Sequence, residues 1–313
     1  MHPAFSVIFL TTLIGAAQGL FLALFATELS GLGDLTPADS QHFLVMGNLV
    51  ALVLTALGLV ASFFHLGHPE RAWRSAAMWR TSWLSREVIA LPLFMLGLFL
   101  YGGLHFLGWG NTKFIGAITV FSCLALFVCT AMIYASIRFL QEWASPLTLL
   151  NYLLLGCASG LTLATLLAAV FGMSGLIQPY ALAAMALTLL AWVTRSASLV
   201  RNAHLKPKST LQSAIGIKHP RIVQKAQGFM GGSFNTREFF HGRSKEILRS
   251  VKWFFLVMVF PLPLLCLAVG VSASSTGTLF AAFSLQYVGL LAERWFFFAQ
   301  ANHPQNLYYQ TIS

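Results

Sequence analysis

Long apolar runs separated by short polar segments recur eight times along the chain. A helix that crosses a bilayer needs about 20 mainly apolar residues, and the runs lack the alternating polarity that barrel strands need. The sequence therefore predicts an all-α, polytopic membrane protein with eight transmembrane helices, built as a single membrane-anchor domain over residues 1–313. The predicted spans cover approximately residues 5–28, 42–65, 86–107, 114–138, 147–172, 179–200, 251–273 and 276–298.

Composition supports this class and excludes a water-soluble domain. Hydrophobic residues make up 57% of the chain and charged residues only 9%, whereas soluble domains have about 25% charged residues. A soluble protein of this length needs more charged side chains to cover its surface. The four cysteines lie in apolar runs without the CxxC spacing of many zinc and iron–sulfur sites, so we expect no metal in this chain.

The distribution of basic residues predicts the orientation. Eight spans place both termini on one side, here called side A, together with residues 66–85, 139–146 and 201–250. Of the 19 lysines and arginines, only Lys113 falls on the opposite side, side B, which leaves 18 (19 − 1) on side A. The positive-inside rule then makes side A cytoplasmic, with the chain in the inner membrane of a bacterium. The basic surface could also hold an acidic partner; we expect membrane lipid around the chain and no nucleic acid.

The polar segment 201–250, between the sixth and seventh spans, is a candidate contact surface. It carries ten lysines and arginines against two acids, Glu238 and Glu246, and it is too short and too polar to form a core of its own. Its glycines and phenylalanines are not typical of a flexible charged tether. We interpret it as a cytoplasmic docking loop for another protein. The alternative is a solvated loop that attracts anionic lipid.

Ionisable residues in the spans are candidates for function, because charge inside a membrane is costly. His65 closes the second span, and Glu87 lies in the first turn of the third, for which Ser85 is the expected N-cap. A hairpin of these two spans places an imidazole and a carboxyl group on the same side of the membrane. In the last span, Glu293 shares a helix face with Gln286.

Quinone chemistry suits such a pair of residues. Quinone reduction takes two electrons and two protons, and the quinone carbonyl groups accept hydrogen bonds. His65 would donate a hydrogen bond to a carbonyl oxygen, and Glu87 would relay protons from water. The alternative for Glu87 is a structural ion pair that fastens the hairpin, with one of Arg71, Arg74 and Arg86.

Two other functions stay open at this stage. A b-type haem needs two axial histidines at matched depth on different helices, and His42 and His105 near side B could provide them. A transporter without a redox role is the second possibility. Transporters often interrupt their helices at the midplane of the membrane, whereas the ionisable residues here gather at one side.

Several segments together resemble the membrane anchor subunit of the dimethyl sulfoxide reductase family, over nearly the whole chain. The resemblance implies an eight-helix anchor without metal or haem, which holds an iron–sulfur electron-transfer subunit and a molybdopterin catalytic subunit. Such a chain is an enzyme subunit that exchanges electrons with quinone, either ubiquinone or menaquinone. The resemblance also implies quinol binding at His65 and Glu87. The segments that carry it are His65-Leu66-Gly67, Arg71-Ala72, Ser85-Arg86-Glu87, 216–221, 228–241, Glu293-Arg294-Trp295 and 302–309.

Orientation favours one subgroup of this family. The respiratory dimethyl sulfoxide reductases have periplasmic catalytic subunits, whereas the predicted quinone site and docking loop here are cytoplasmic. The chain therefore looks most like the anchors of cytoplasm-facing membrane sulfite dehydrogenases, which pass electrons from sulfite to quinone. The alternative is the reverse flow, in which quinol feeds a reductase of dimethyl sulfoxide, polysulfide or tetrathionate. We expect the quinone near His65, Arg71, Ser85, Arg86, Glu87 and Glu293.

Overall fold

The computed structural model describes residues 4–33, 36–64, 66–206, 208, 210–223, 225 and 244–304. Every regular element in these residues is helical, as predicted. A short 3₁₀ helix, Pro69–Ala76, connects the second and third long helices. In chain order the α-helices are α1 (Phe5–Ser30), α2 (Pro37–Phe63), α3 (Trp83–Leu107), α4 (Thr112–Ala135), α5 (Pro146–Val170), α6 (Ser174–Ala203), α7 (Leu211–Ile215), α8 (Lys245–Val259), α9 (Pro261–Ser272) and α10 (Thr276–Ala299).

Seven helical segments of the described chain are long and apolar enough to cross a membrane. They are α1 to α6 and the stretch Lys245–Ser272, which α8 and α9 form together. The chain is therefore a multi-pass membrane protein. The eighth predicted span corresponds to α10, which has 24 residues but carries Gln286, Glu293 and Arg294. These polar side chains face the protein interior, and the count of eight crossings stays a prediction.

Capping residues decide where two of the helices begin. The Thr36 side chain accepts a hydrogen bond from the backbone N–H of Asp39 at 3.2 Å, so α2 begins earlier than hydropathy alone predicts. Ser82 plays this part for α3, because its Oγ accepts from the backbone N–H of Ser85 at 3.3 Å. The prediction of Ser85 as the N-cap is therefore wrong; Ser85 is buried in the first turn of α3.

Helix α1 lies inside the bundle and packs against α2, α4, α5 and α10. Its approach to α5 is very close, because glycines face each other across the contact. A methyl group at Gly160 would overlap the backbone of Gly19 and Leu20, and one at Gly19 would lie 2.8 Å from Cα of Cys157. Small residues allow such contacts between helices in lipid, where packing rather than the hydrophobic effect drives association.

We expect Gly160→Ala to lower the unfolding temperature of the protein by about 5 °C, because overpacking costs about 1–3 kcal/mol. Gly103→Ala is the matched control, since a methyl group at Gly103 on α3 meets no atom within 4 Å. Alanine also favours the helix, so the control should be neutral or slightly stabilising. Thermal unfolding in detergent measures both variants, and equal unfolding temperatures would contradict the described α1–α5 packing.

Contacts between helix ends identify the two ends of the bundle. On side A, Trp143 in the α4–α5 connection donates from Nε1 to the carbonyl of Phe297 on α10 at 2.8 Å. Arg201 at the end of α6 donates to the carbonyl of Gln141 in the same connection at 3.0 Å. On side B, Gln41 near the start of α2 donates to the carbonyl of His105 near the end of α3 at 2.7 Å. Helix ends predicted to share a side therefore meet.

Much of the predicted docking loop 201–250 lies outside the described residues, including all of 226–243. Its described parts include the end of α6, the short helix α7 with residues 216–223 after it, and the start of α8. The neighbouring α4–α5 connection is fixed to α6 by Arg201. Burial raises the pKa of Glu142 in this connection, while backbone donors and the charge of Arg201 act in the opposite direction. On side A, these contacts therefore hold together the end of α4, the start of α5 and the end of α6.

Candidate functional site

Glu87 points from the start of α3 towards the end of α4. Thr130 Oγ1 donates a hydrogen bond to Glu87 Oε1 at 2.5 Å. The two helices pack against each other in opposite directions, so the first turns of α3 meet the last turns of α4 on side A. The Glu87 side chain is only partly buried, and it lies near the side A end of the helix bundle.

A cavity of about 30 Å³ adjoins this carboxyl group. A water molecule needs roughly 10–15 Å³ measured in this way, so the cavity has room for about two waters and not for an organic ring. Helices α1, α3, α4, α5 and α10 all contribute to its wall. Its polar lining consists of Thr11, Thr12, Gln18, Glu87, Thr130, Tyr152, Ser159 and Arg294.

A cluster of three charged residues lies behind the cavity, where α6 and α10 meet. Arg195 Nε lies 2.7 Å from Glu293 Oε1, and Arg294 Nε donates to Glu293 Oε2 at 2.5 Å. Relative exposure is 0% for Glu293, 1% for Arg195 and 4% for Arg294. Such burial of charge requires close pairing, because each ion loses its hydration.

Aromatic rings enclose this cluster. The guanidinium carbon of Arg294 lies 4.1 Å from the centre of the Tyr152 ring, and Tyr134 of α4 stacks on Tyr152 with 5.8 Å between the ring centres. A cation over an aromatic face gains electrostatic energy, more so when water is excluded. Tyr152 therefore lies next to the charged cluster and also lines the cavity that contains Glu87.

Two predicted site residues on α3 and the preceding segment point elsewhere. Arg71 is exposed, and its Nε lies 3.6 Å from Glu70 Oε1. Arg86 donates to the carbonyl oxygens of Trp79 at 2.9 Å and Arg80 at 2.8 Å. Within the described residues, no ion pair joins Glu87 to Arg71, Arg74 or Arg86, so the hairpin is not fastened in that way.

The other predicted residues are Ser85, Glu293 and His65. Ser85 is buried next to Glu87 in the chain, and Glu293 reaches the cavity through its partner Arg294. His65 lies outside the described residues. Thr130 and Tyr152 also belong to the site but were not predicted from the sequence, because a single threonine or tyrosine in an apolar helix carries no signal without the contact across helices.

Side B has a separate polar site. Glu28 of α1 accepts hydrogen bonds from Tyr101 at 2.8 Å and from Thr112 at 2.5 Å, beside a pocket of about 340 Å³. His105 Nε2 lies 3.5 Å from Glu28 Oε1, whereas the His42 ring packs edge-on against Phe171. The two histidines of the haem alternative thus contact different protein groups. Among the described residues no group of three metal-ligating side chains occurs.

The arrangement on side A is suited to moving protons. A carboxyl group that borders a water-sized polar cavity can exchange a proton with that water and with a reactant on its other side. The fold thus defines a multi-pass helical membrane protein, and Glu87 with its cavity forms a candidate acid–base site near side A.

Comparison with known proteins extends this description. The sequence profile of the DMSO reductase anchor subunit (DmsC) family matches residues 1–299. The chain belongs to that family and is the membrane anchor of a multi-subunit oxidoreductase complex. It is also similar to a sulfite dehydrogenase subunit of Allochromatium vinosum, with 53% identity in an alignment of 326 residues that covers the whole of both chains.

Proposed function

We propose that this chain is the quinone-binding anchor of a membrane sulfite dehydrogenase complex. In this proposal, electrons from sulfite pass through the iron–sulfur clusters of a partner subunit to a quinone beside Glu87. Full-length identity of 53% with a sulfite dehydrogenase subunit supports the choice of substrate. The observation that carries the quinone site is the Glu87 carboxyl group, hydrogen-bonded to Thr130 and open to a polar cavity.

The stoichiometry of the two half-reactions explains why an acid is needed. Oxidation of sulfite to sulfate releases two electrons and two protons at the catalytic subunit, and quinone takes up two electrons and two protons in the membrane. Glu87 would take up a proton from water in the cavity, pass it to a quinone oxygen as general acid and return to its ionised form. His65 would donate a hydrogen bond to the other carbonyl, as the sequence predicts.

The cavity volume constrains where the headgroup binds. About 30 Å³ admits water but no quinone ring, so we place the ring beside the cavity, with its carbonyl edge towards Glu87. The buried Ser85 would lie near the ring, whereas the exposed Arg71 and the part-buried Arg86 would act from the edge of the site. Glu293 would act through Arg294 and would not touch the quinone.

The proposal includes an orientation. We place α10 across the membrane as the eighth span, with its charged residues facing the bundle, and side A in the bacterial cytoplasm. The iron–sulfur subunit would dock against the basic segment 201–250 and the side A connections, and the molybdopterin subunit would bind to it. An 18-to-1 distribution of basic residues supports this orientation.

The activity of the purified complex tests the proposed function and the proposed direction of electron flow. We expect sulfite to reduce a short-chain quinone, and we expect no oxidation of quinol by dimethyl sulfoxide, polysulfide or tetrathionate. The control is the pair of partner subunits without this chain, which should reduce a soluble dye with sulfite but not the quinone. Quinone reduction by the control would overturn the role of the anchor, and quinol-dependent reduction of those acceptors would favour the reverse flow.

A further inference from the structure

The cluster at α6 and α10 does not balance its own charge. Arg195 and Arg294 carry two positive charges, and Glu293 carries one negative charge, which leaves one net positive charge (2 − 1) among residues that are at most 4% exposed. A buried, unbalanced ion is strongly destabilising. The cluster therefore needs a second negative charge close by.

Glu87 is the acid that can supply this charge. It lines the same cavity as Arg294, whereas the other described acids outside the cluster, Glu28, Asp39, Glu70, Glu142 and Glu246, do not line it. Arg86, the cation next to Glu87 in the chain, does not pair with Glu87. Its guanidinium group donates instead to the backbone carbonyl oxygens of Trp79 and Arg80.

The geometry at Arg294 adds an independent observation. Its Nε binds Glu293, whereas its buried Nη1 has no hydrogen-bond partner among the described residues. A buried guanidinium group normally uses its donors, because an unmet donor costs free energy. The adjoining cavity has the volume of about two waters and offers further polar groups, which are the conditions for ordered internal water.

We propose that Glu87 is the counter-charge of the Arg195–Glu293–Arg294 cluster, and that Arg294 positions the Glu87 carboxylate through water in the shared cavity. Two arginines and two glutamates then have zero net charge. Arg294 is thus a positioning residue for the acid–base step, and its effect on turnover rests on the proposed quinone function. The charge balance itself does not rest on that function.

A double-mutant cycle on the assembled complex tests the charge balance. We expect Arg294→Gln to lower the unfolding temperature by about 5–10 °C, because it leaves two acids with one arginine. The double variant Glu87→Gln/Arg294→Gln restores zero net charge, so we expect it to unfold at a temperature at least half-way back towards the wild type. Arg138→Gln, at an exposed arginine in the connection after α4, is the matched control and should combine additively with Glu87→Gln.

Additive losses for Arg294→Gln and Glu87→Gln would overturn the inference. If Arg294→Gln does not assemble, the double variant and the charge-preserving Arg294→Lys should both assemble, and failure of both would also overturn it. In turnover we expect Arg294→Gln to lower kcat about tenfold with little change in KM for quinone. Wild-type turnover by Arg294→Gln alone would contradict the positioning role, whereas wild-type turnover by Glu87→Gln would contradict the proposed quinone function.

Discussion

Replacement of Glu87 by glutamine is expected to reduce the quinone turnover of the assembled complex by about 100-fold or more. Glutamine keeps the shape of the side chain and an oxygen that accepts the hydrogen bond from Thr130, but it cannot deliver a proton. A positioned general acid contributes about 10²–10⁴-fold to rate. Steady-state kinetics of sulfite-dependent quinone reduction measure the loss, which should appear in kcat, with KM for quinone changed less than about threefold.

Two glutamates serve as controls for this variant. Glu70→Gln removes an exposed acid in the segment before α3 and should keep wild-type turnover, because Glu70 forms its ion pairs with the exposed neighbours His68 and Arg71. Glu28→Gln removes a well-buried acid on side B and tests whether any internal carboxyl group is required. The assignment of Glu87 is wrong if Glu28→Gln slows turnover and Glu87→Gln does not.

Replacement of Glu293 by glutamine is expected to destabilise the anchor so strongly that most of the folded protein is lost from the membrane fraction. Glu293 is 0% exposed and pairs with both Arg195 and Arg294, so glutamine leaves two buried cations without their shared partner. Loss of one member of a buried ion pair costs about 3–5 kcal/mol, a large part of the stability of a typical domain. The amount of anchor in isolated membranes and its unfolding temperature in detergent measure the effect.

A variant that removes one arginine together with Glu293 distinguishes the effect of unbalanced charge from the effect of changed side-chain shape. Arg195→Leu/Glu293→Leu removes one charge of each sign and leaves Arg294 facing the Glu87 cavity. We expect it to accumulate better than Glu293→Gln, because an ion pair replaced by apolar residues is often neutral in stability. Glu246→Gln, at an exposed position near the start of α8, should have no effect. Normal accumulation of Glu293→Gln would contradict the role of the buried cluster.

The all-helical type of the fold could be predicted from the sequence, because a membrane imposes long apolar segments on the chain, whereas the number of eight spans stays a prediction. The structure confirms an all-helical chain with seven segments that fit this criterion. Boundaries were less predictable. Hydropathy cannot show that Ser82 rather than Ser85 caps α3, since both are serines before an apolar run and only the backbone geometry selects one.

The site was predictable only in part, for a physical reason. Glu87 and Glu293 are conspicuous as acids in apolar helices, and the structure places Glu87 and Arg294, the partner of Glu293, on one cavity. Thr130 and Tyr152 come from α4 and α5 and reach the site only through helix packing. Arg71 and Arg86 are close to Glu87 in the chain, yet their side chains contact exposed groups and backbone carbonyls.

A density map of the assembled complex with a bound quinone analogue tests the central claim most directly. We expect a headgroup beside Glu87, within hydrogen-bond distance of its carboxyl group, with the iron–sulfur subunit bound at the same end of the bundle. A headgroup in the side B pocket lined by Glu28 and His105, or an iron–sulfur subunit bound at side B, would contradict it.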